Sequence, residues 1–213
     1  MSETSLKSHR ARIRSHLRKL ASADQDIAGA IERVGFPEPR VRQPGFEVFV
    51  HTVISQQLST AAAEAIWRRF TEKFDPLTPE RVLRARVKTL RGLGLSERKA
   101  DYVKGVARAF IDGTLNIEEF ATLGDEHVVQ RITSLKGFGV WSAEIYLMFS
   151  LQRPDVFAAD DLALQIGLQH LKKLPSRPSA KECRAIAQSW SPYRSSASLL
   201  LWRYYAHVKK DNG

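Results

Sequence analysis

The chain has 213 residues, 43% of them apolar, which is enough for one domain or two small packed lobes and argues against disorder. Its 33 Lys and Arg outnumber 23 Asp and Glu and leave a formal charge of +10. Such a surplus favours a polyanionic partner, nucleic acid before an anionic membrane surface. Cys183 is the single cysteine. That excludes an internal disulfide and any cluster or zinc site needing several thiolates from this chain, and it points to a reducing interior. No uninterrupted apolar run approaches the roughly 20 residues of a membrane span, and the N-terminus lacks the apolar core of a secretory signal.

Helix signals recur from end to end. Arg10, Arg12, Arg14, Arg18 and Lys19 read as a basic first helix that continues into the domain, rather than an organellar presequence. Ser22 or Asp24 starts the next helix, through Ile27, Ile31 and Val34, and Gly35-Phe36-Pro37 ends it. A proline-rich loop follows, then a long helical region from about Phe46 to Phe70 with a break expected at Ser55-Gln56-Gln57. Thr78-Pro79-Glu80 is a helix start with proline at the first position. Ser96 caps a helix to about Asp112, which Gly113 closes. Asn116 with Glu119, and Ser179 with Glu182, have the spacing of capping boxes. Asp125 opens a helix ending near Leu135, Val140–Leu151 is helical, Asp160 starts the next helix, and Ser195–Val208 is the last. The expectation is an all-α fold of about ten helices.

The stretch from Asp125 to Leu151 is the most informative. Lys136-Gly137-Phe138-Gly139 turns between two helices, and its glycines permit positive φ and a close backbone approach to a ligand. Amides at the start of the second helix suit an anion, and a DNA phosphate oxygen fits there, with Lys136 as a nearby point charge. By itself L-x-G-x-G is weak. It occurs twice, at Leu90–Gly94 and Leu135–Gly139, and is equally an ordinary glycine corner. Twenty-two residues after Gly139, however, lies Asp160-Asp161 at a helix start. Successive helical residues diverge by about 100°, so the pair cannot serve one point. Capping is expected of Asp160, which leaves Asp161 to face a cleft.

L-K-G-F-G-V-W-S-A-E followed by D-V-F-A-A-D-D-L-A-L resembles the helix–hairpin–helix DNA glycosylase superfamily, and within it the alkylation-repair branch, 3-methyladenine DNA glycosylase II. Ile54-Ser55-Gln56-Gln57-Leu58-Ser59 and Trp190-Ser191-Pro192-Tyr193-Arg194-Ser195 through Trp202 extend the likeness. The resemblance implies one glycosylase domain over 1–213, a two-lobed helical bundle with the active-site cleft between the lobes. It also implies a monomer that flips damaged bases out of double-stranded DNA and works without a cofactor, apart from a monovalent cation at the hairpin. The family's catalytic aspartate falls on Asp161. Bifunctional relatives carry a lysine nucleophile where this chain has Trp141, so a monofunctional hydrolase is implied.

A carboxylate suits the reaction, because departure of the base leaves positive charge on the sugar. An alkylated purine already carries positive charge and departs neutral, so the second acid of ordinary glycosidases is not required. Trp141 and Trp202 are the candidate base pocket, with plain core packing as the other reading. Gln56, Gln57 and Leu58 are the candidate loop for the gap left in DNA, Gln57 foremost; a polar kink between helices explains them equally well. Lys136, Gly137, Phe138 and Gly139 are the candidate phosphate-binding hairpin. Ile145 stands where a relative carries a pocket tyrosine, so the choice among 3-methyladenine, 7-methylguanine, hypoxanthine and ethenoadenine stays open; Tyr146 should point elsewhere. His51 is expected to be structural. The competing readings are a non-catalytic DNA-binding or lesion-sensing protein and a regulator with a recognition helix. The expected location is intracellular, in the cytoplasm or nucleoid of a bacterium or the nucleus of a eukaryote.

Overall fold

The computed structural model describes residues 3–211, and among them are twelve α-helices, two short 3-10 turns and no strand. The chain divides into two compact units, one built from the segment up to Val41 and the segment from Leu147 onward, the other from Arg42–Tyr146.

In the first unit, α1 (Glu3–Ala23) buries Ile13, Leu17 and Leu20, spaced on one face, and leaves its arginines outside. α2 (Gln25–Val34) begins at Asp24, whose carboxylate accepts from the Asp26 and Ile27 amides, so Asp24 rather than Ser22 is the cap. Further along the chain, α10 (Leu162–Leu171), α11 (Ala180–Ala187) and α12 (Arg194–Asp211) complete the unit. α10 packs closely on α12: a Cβ at Gly167 would lie 3.0 Å from the Leu201 carbonyl oxygen. Ser179 and Glu182 form the expected capping box at α11.

The second unit holds α3 (Phe46–Ser55), α4 (Thr60–Lys73), α5 (Pro79–Arg84), α6 (Val87–Gly92), α7 (Glu97–Ile111), α8 (Asp125–Thr133) and the larger part of α9 (Val140–Phe149). The long region from Phe46 does break after Ser55. Lys99 of α7 holds the break, donating to the carbonyls of Ile54 and Gln56 at 2.7 Å each. Thr78 and Ser96 cap as expected, and Ala100, Val103 and Ala107 of α7 are fully buried. The Asn116–Glu119 pair differs from expectation. Asn116 Nδ2 donates to Glu119 Oε1 at 2.9 Å, but only a 3-10 turn, Glu119–Ala121, follows. The Asn side chain bonds locally instead of opening a helix.

Asp24 does more than cap. Its carboxylate also accepts from Trp190 Nε1 at 2.9 Å and from Lys172 Nζ at 2.8 Å, and Lys172 reaches Asp26 at 2.8 Å as well. Burial acts to raise the Asp24 carboxyl, yet the bonds from Lys172 and Trp190, the Lys172 charge and the Ile27 amide outweigh it and hold the group below its ordinary 3.8. A depressed carboxylate contributes stability that is complete above pH 3.8 and is lost as pH falls through the lower native value. Asp24→Ala is therefore expected to cost about 3 kcal/mol in urea unfolding at about pH 7, since it strands Lys172 and the indole N–H. The gap to wild type should shrink steadily below pH 3.8; a gap unchanged at about pH 2 would show that the carboxylate charge is not the stabilising element.

Candidate active site and nucleic-acid interface

The backbone leading to α10 is tightly held. Ala158 and Ala159 are fully buried, the Asp161 amide donates to Ala158 O at 2.9 Å, and Gln165 Nε2 donates to Ala159 O at 2.9 Å. Asp161 itself is the N-cap, at φ −75° and ψ 119°, and its Oδ1 accepts from the Leu164 amide at 3.0 Å. The capping expected of Asp160 thus falls to Asp161. Asp160 lies before the cap and points out to Arg184, whose Nη2 reaches Asp160 Oδ2 at 2.9 Å, both side chains being about half exposed. The helix needs a side chain that folds back onto its third amide, and only the residue directly before the first helical turn has that reach.

Asp161 Oδ1 also accepts from Trp202 Nε1, at 3.0 Å. Two N–H donors thus fix the carboxylate and offset its negative charge. Trp202 is 9% exposed, with the Phe149 ring 5.5 Å away and the Arg40 guanidinium over its face at 5.2 Å. Among the candidate pocket residues, this unit therefore brings Asp161 and Trp202 together. Trp141 belongs to the other unit, where it is 37% exposed, so core packing does not account for it. Tyr146 points into that unit's interior as expected, its ring 5.0 Å from Phe49 and 5.8 Å from Phe120. Burial pushes its hydroxyl up to about 12.

Only one hairpin glycine adopts a left-handed conformation. Gly137 has φ 90°, and a Cβ there would lie 2.3 Å from the Tyr102 ring. Gly139 has no such φ, and nothing stands within 4 Å of its Cβ position. Positive φ thus belongs to Gly137, and open space before α9 to Gly139. Phe138 is buried, packed 5.6 Å from Phe49, so its side chain anchors the turn and only its backbone is placed to meet a ligand. Lys136 is exposed.

The loop after α3 is joined to this hairpin. Gln56 Nε2 donates to Gly137 O at 2.7 Å, so Gln56 braces the turn, which is a different task from filling a gap in DNA. Gln57, at φ 55°, and Leu58 are exposed. With Gly94, Ser96, Arg98, Lys99, Tyr102 and Gly137, these three line a groove of about 530 Å³. His51 is half-buried on Trp67 and 3.6 Å from Glu64, a structural setting; burial, with Arg42, pushes its imidazole below the ordinary range. Sequence reasoning missed Lys99, Tyr102 and Arg40. Lys and Arg are read from sequence as surface charge, and nothing local marks a lysine that caps a helix in another part of the chain. Among the described residues, no group of three His, Cys, Asp or Glu side chains is placed to hold a metal ion.

The two glycines should separate on substitution. Gly137→Ala meets both the Tyr102 ring and a forbidden φ, so it should lower stability by roughly 1–3 kcal/mol. Gly139→Ala should melt like wild type yet bind an abasic-site duplex more weakly, because its methyl enters the space before the α9 amides. Wild-type affinity of Gly139→Ala across a salt series would reduce the hairpin to a structural corner.

Comparison with known proteins matches this architecture. Residues 50–192 fit the model of the HhH-GPD superfamily base excision DNA repair protein. DNA-3-methyladenine glycosylase 1 of Schizosaccharomyces pombe is 33% identical over 191 residues, covering 86% of this chain and 84% of the relative. DNA-3-methyladenine glycosylase 2 of Escherichia coli is 29% identical over 88% of this chain and 69% of its own length. In three dimensions, the S. pombe 3-methyladenine DNA glycosylase solved in complex with abasic DNA superposes with a TM-score of 0.80 at 32% identity, covering 89% of this chain and 95% of that one. With two thirds of its length inside the family's boundaries and a fold that follows a family member almost throughout, the chain belongs to the HhH-GPD superfamily of base excision DNA repair proteins.

Proposed function

We propose that the chain is a monofunctional DNA glycosylase of base excision repair, hydrolysing the N-glycosidic bond of alkylated, 3-methyladenine-type bases in double-stranded DNA. The observation that carries the residue assignment is the carboxylate of Asp161, fixed by the Leu164 amide and the Trp202 indole. No helix of the described residues is long and apolar enough to cross a membrane.

In this reading the damaged base is taken out of the stack. The C1′–N bond breaks with both electrons leaving on the base, and Asp161 stabilises the positive charge left on the sugar. Water adds at C1′ and releases one proton to solvent, and an alkylated purine departs as a neutral molecule, so a single carboxylate is enough. The indole of Trp202, bonded to Asp161, provides a face for an electron-deficient base, and the ring of Trp141, exposed in its own unit, is the other candidate. Gln57 and Leu58, both exposed, are the residues of their loop left to enter the duplex, while Gln56 steadies the hairpin. Lys136 and the amides before α9 would hold a phosphate. A monovalent cation at the hairpin would rest on carbonyl oxygens. Leu135 O and Gly137 O each accept one hydrogen bond, from Phe138 N and Gln56 Nε2, and keep a second lone pair for such an ion, which would add positive charge beside a phosphate.

Excision from methylated duplex DNA tests the assignment. Because Asn caps helices nearly as well as Asp, Asp161→Asn should keep the fold and abasic-duplex binding. It should lose several kcal/mol of transition-state stabilisation, about 10³-fold or more in excision rate. Asp160→Asn should stay near wild type. A folded Asp161→Asn protein that excises normally would remove Asp161 from the chemistry.

The product should be an intact strand carrying an abasic site, broken only by alkali or heat. With Trp141 where a lyase lysine would stand, borohydride should fail to trap the enzyme on damaged DNA. An efficient covalent adduct would instead identify another lysine as a nucleophile and refute the monofunctional assignment.

A further inference from the structure

Arg40 sits where no sequence signal places a functional residue. It lies in the segment between Gly35 and Val41, which has no regular structure of its own and is held at several points within its unit. Arg14 and Arg18 of α1 each lie 5.7 Å from the Phe36 ring. Arg10 grips Glu38 through Nε at 2.9 Å and through Nη2 at 2.6 Å. Gln152 Nε2 donates to the Arg40 carbonyl at 3.1 Å, and its Oε1 accepts from Arg12. Arg10, Arg14 and Arg18 of the basic first helix, and Arg12 through Gln152, thus help to place this segment.

The guanidinium so placed lies 5.2 Å from the Trp202 ring centroid and 6.0 Å from that of Phe149. Its partial desolvation pushes it below the ordinary value, and the charge of Asp161 acts against that shift, so the two groups sense each other. Among the described residues, no protein acceptor takes a hydrogen bond from its five N–H groups. A planar fork of unused donors therefore lies over the indole that holds the carboxylate.

We propose that Arg40 is a specificity-determining residue that reads the O6/N7 edge of a neutral 6-oxopurine, hypoxanthine, and so lets the site release this base beside the alkylated ones. The inference rests on the assignment of Asp161 and Trp202 to base excision. Its chemistry is the pairing of arginine with a purine O6/N7 edge, two N–H donors to two acceptors. Hypoxanthine presents that edge intact. In 7-methylguanine the N7 acceptor is methylated and the ring is cationic, so the same guanidinium loses a bond and meets like charge. The difference matters in the bond-breaking step. As C1′–N9 cleaves, both electrons leave with hypoxanthine, and its developing negative charge spreads to N7 and O6. Arg40 hydrogen bonds stabilise that charge without giving up a proton. Water supplies hydroxyl to C1′ and its remaining hydrogen to the departed base. A cationic purine leaves neutral and gains nothing from such donors.

Single-turnover excision from duplexes carrying hypoxanthine or 7-methylguanine tests the proposal in wild type, Arg40→Ala and Arg40→Lys. Arg40→Ala should lower hypoxanthine excision about 10- to 100-fold, the range of one good bidentate pair, and leave 7-methylguanine excision unchanged or faster. Arg40→Lys keeps the charge and stem but lacks the fork. It should recover only part of the hypoxanthine rate, and it decides the matter if the alanine variant melts early. Equal losses on both bases, or a wild type that releases 7-methylguanine but not hypoxanthine, would overturn the Arg40 assignment and leave that of Asp161 standing. A wild type that releases neither base would instead overturn the glycosylase reading on which it rests.

Discussion

One carboxylate oxygen carries two obligations in this protein. Asp161 Oδ1 closes the first turn of α10 through the Leu164 amide and holds the Trp202 indole of α12. α10 and α12 are also packed backbone to backbone, with Gly167 admitting the Leu201 carbonyl. The position of the carboxylate is therefore set by helix geometry, by an indole and by close packing at once. That is the kind of preorganisation electrostatic catalysis needs, because a charge that is already oriented costs nothing to reorganise when the reaction demands it. A capping residue is ordinarily interchangeable among Asp, Asn, Ser and Thr. The catalytic role proposed for Asp161 would need a negative charge, which aspartate alone of these four supplies.

Two other carboxylates of this unit are held by ion pairs. Asp24 gathers Lys172 and Trp190, and Asp155 gathers Arg194 and Ser191. Burial acts to raise the Asp155 carboxyl, but the Arg194 and Ser191 bonds hold it below the ordinary range. A strongly basic chain can place cations against its few acids in this way, and each pair ties α2 or the loop before Val156 to a C-terminal helix. The remaining surplus of positive charge is what a polyanionic substrate would meet.

In the other unit, the hairpin is braced from three sides. Tyr102 lies against Gly137, Gln56 bonds its carbonyl, and Phe138 is sunk beside Phe49. The loop that supplies Gln56 is held in turn by Lys99, whose ammonium is desolvated there and pushed below its ordinary value, with Arg98 adding to the shift. The turn, the groove-lining loop and the start of α7 are thus joined by hydrogen bonds, so a ligand held at one of them would meet the others already in place.

The sequence by itself determined the helical character, most helix starts and the position of the hairpin turn. Caps such as Thr78, Ser96 and Ser179 act on amides three residues away, and the period of buried residues in α1 and α7 is equally local. It also singled out the Asp160-Asp161 pair. Which aspartate caps and which meets Arg184 was decided by the tertiary structure, because one residue of phase separates a cap from a surface charge, and that phase depends on where Ala158 and Ala159 are buried. The contacts of Trp202, Tyr102, Lys99 and Arg40 were settled the same way. Each acts on a group between 35 and 162 positions distant in the chain, Tyr102 on Gly137 at the short end and Arg40 on Trp202 at the long. No periodicity or motif encodes such a meeting; only packing brings those groups within reach.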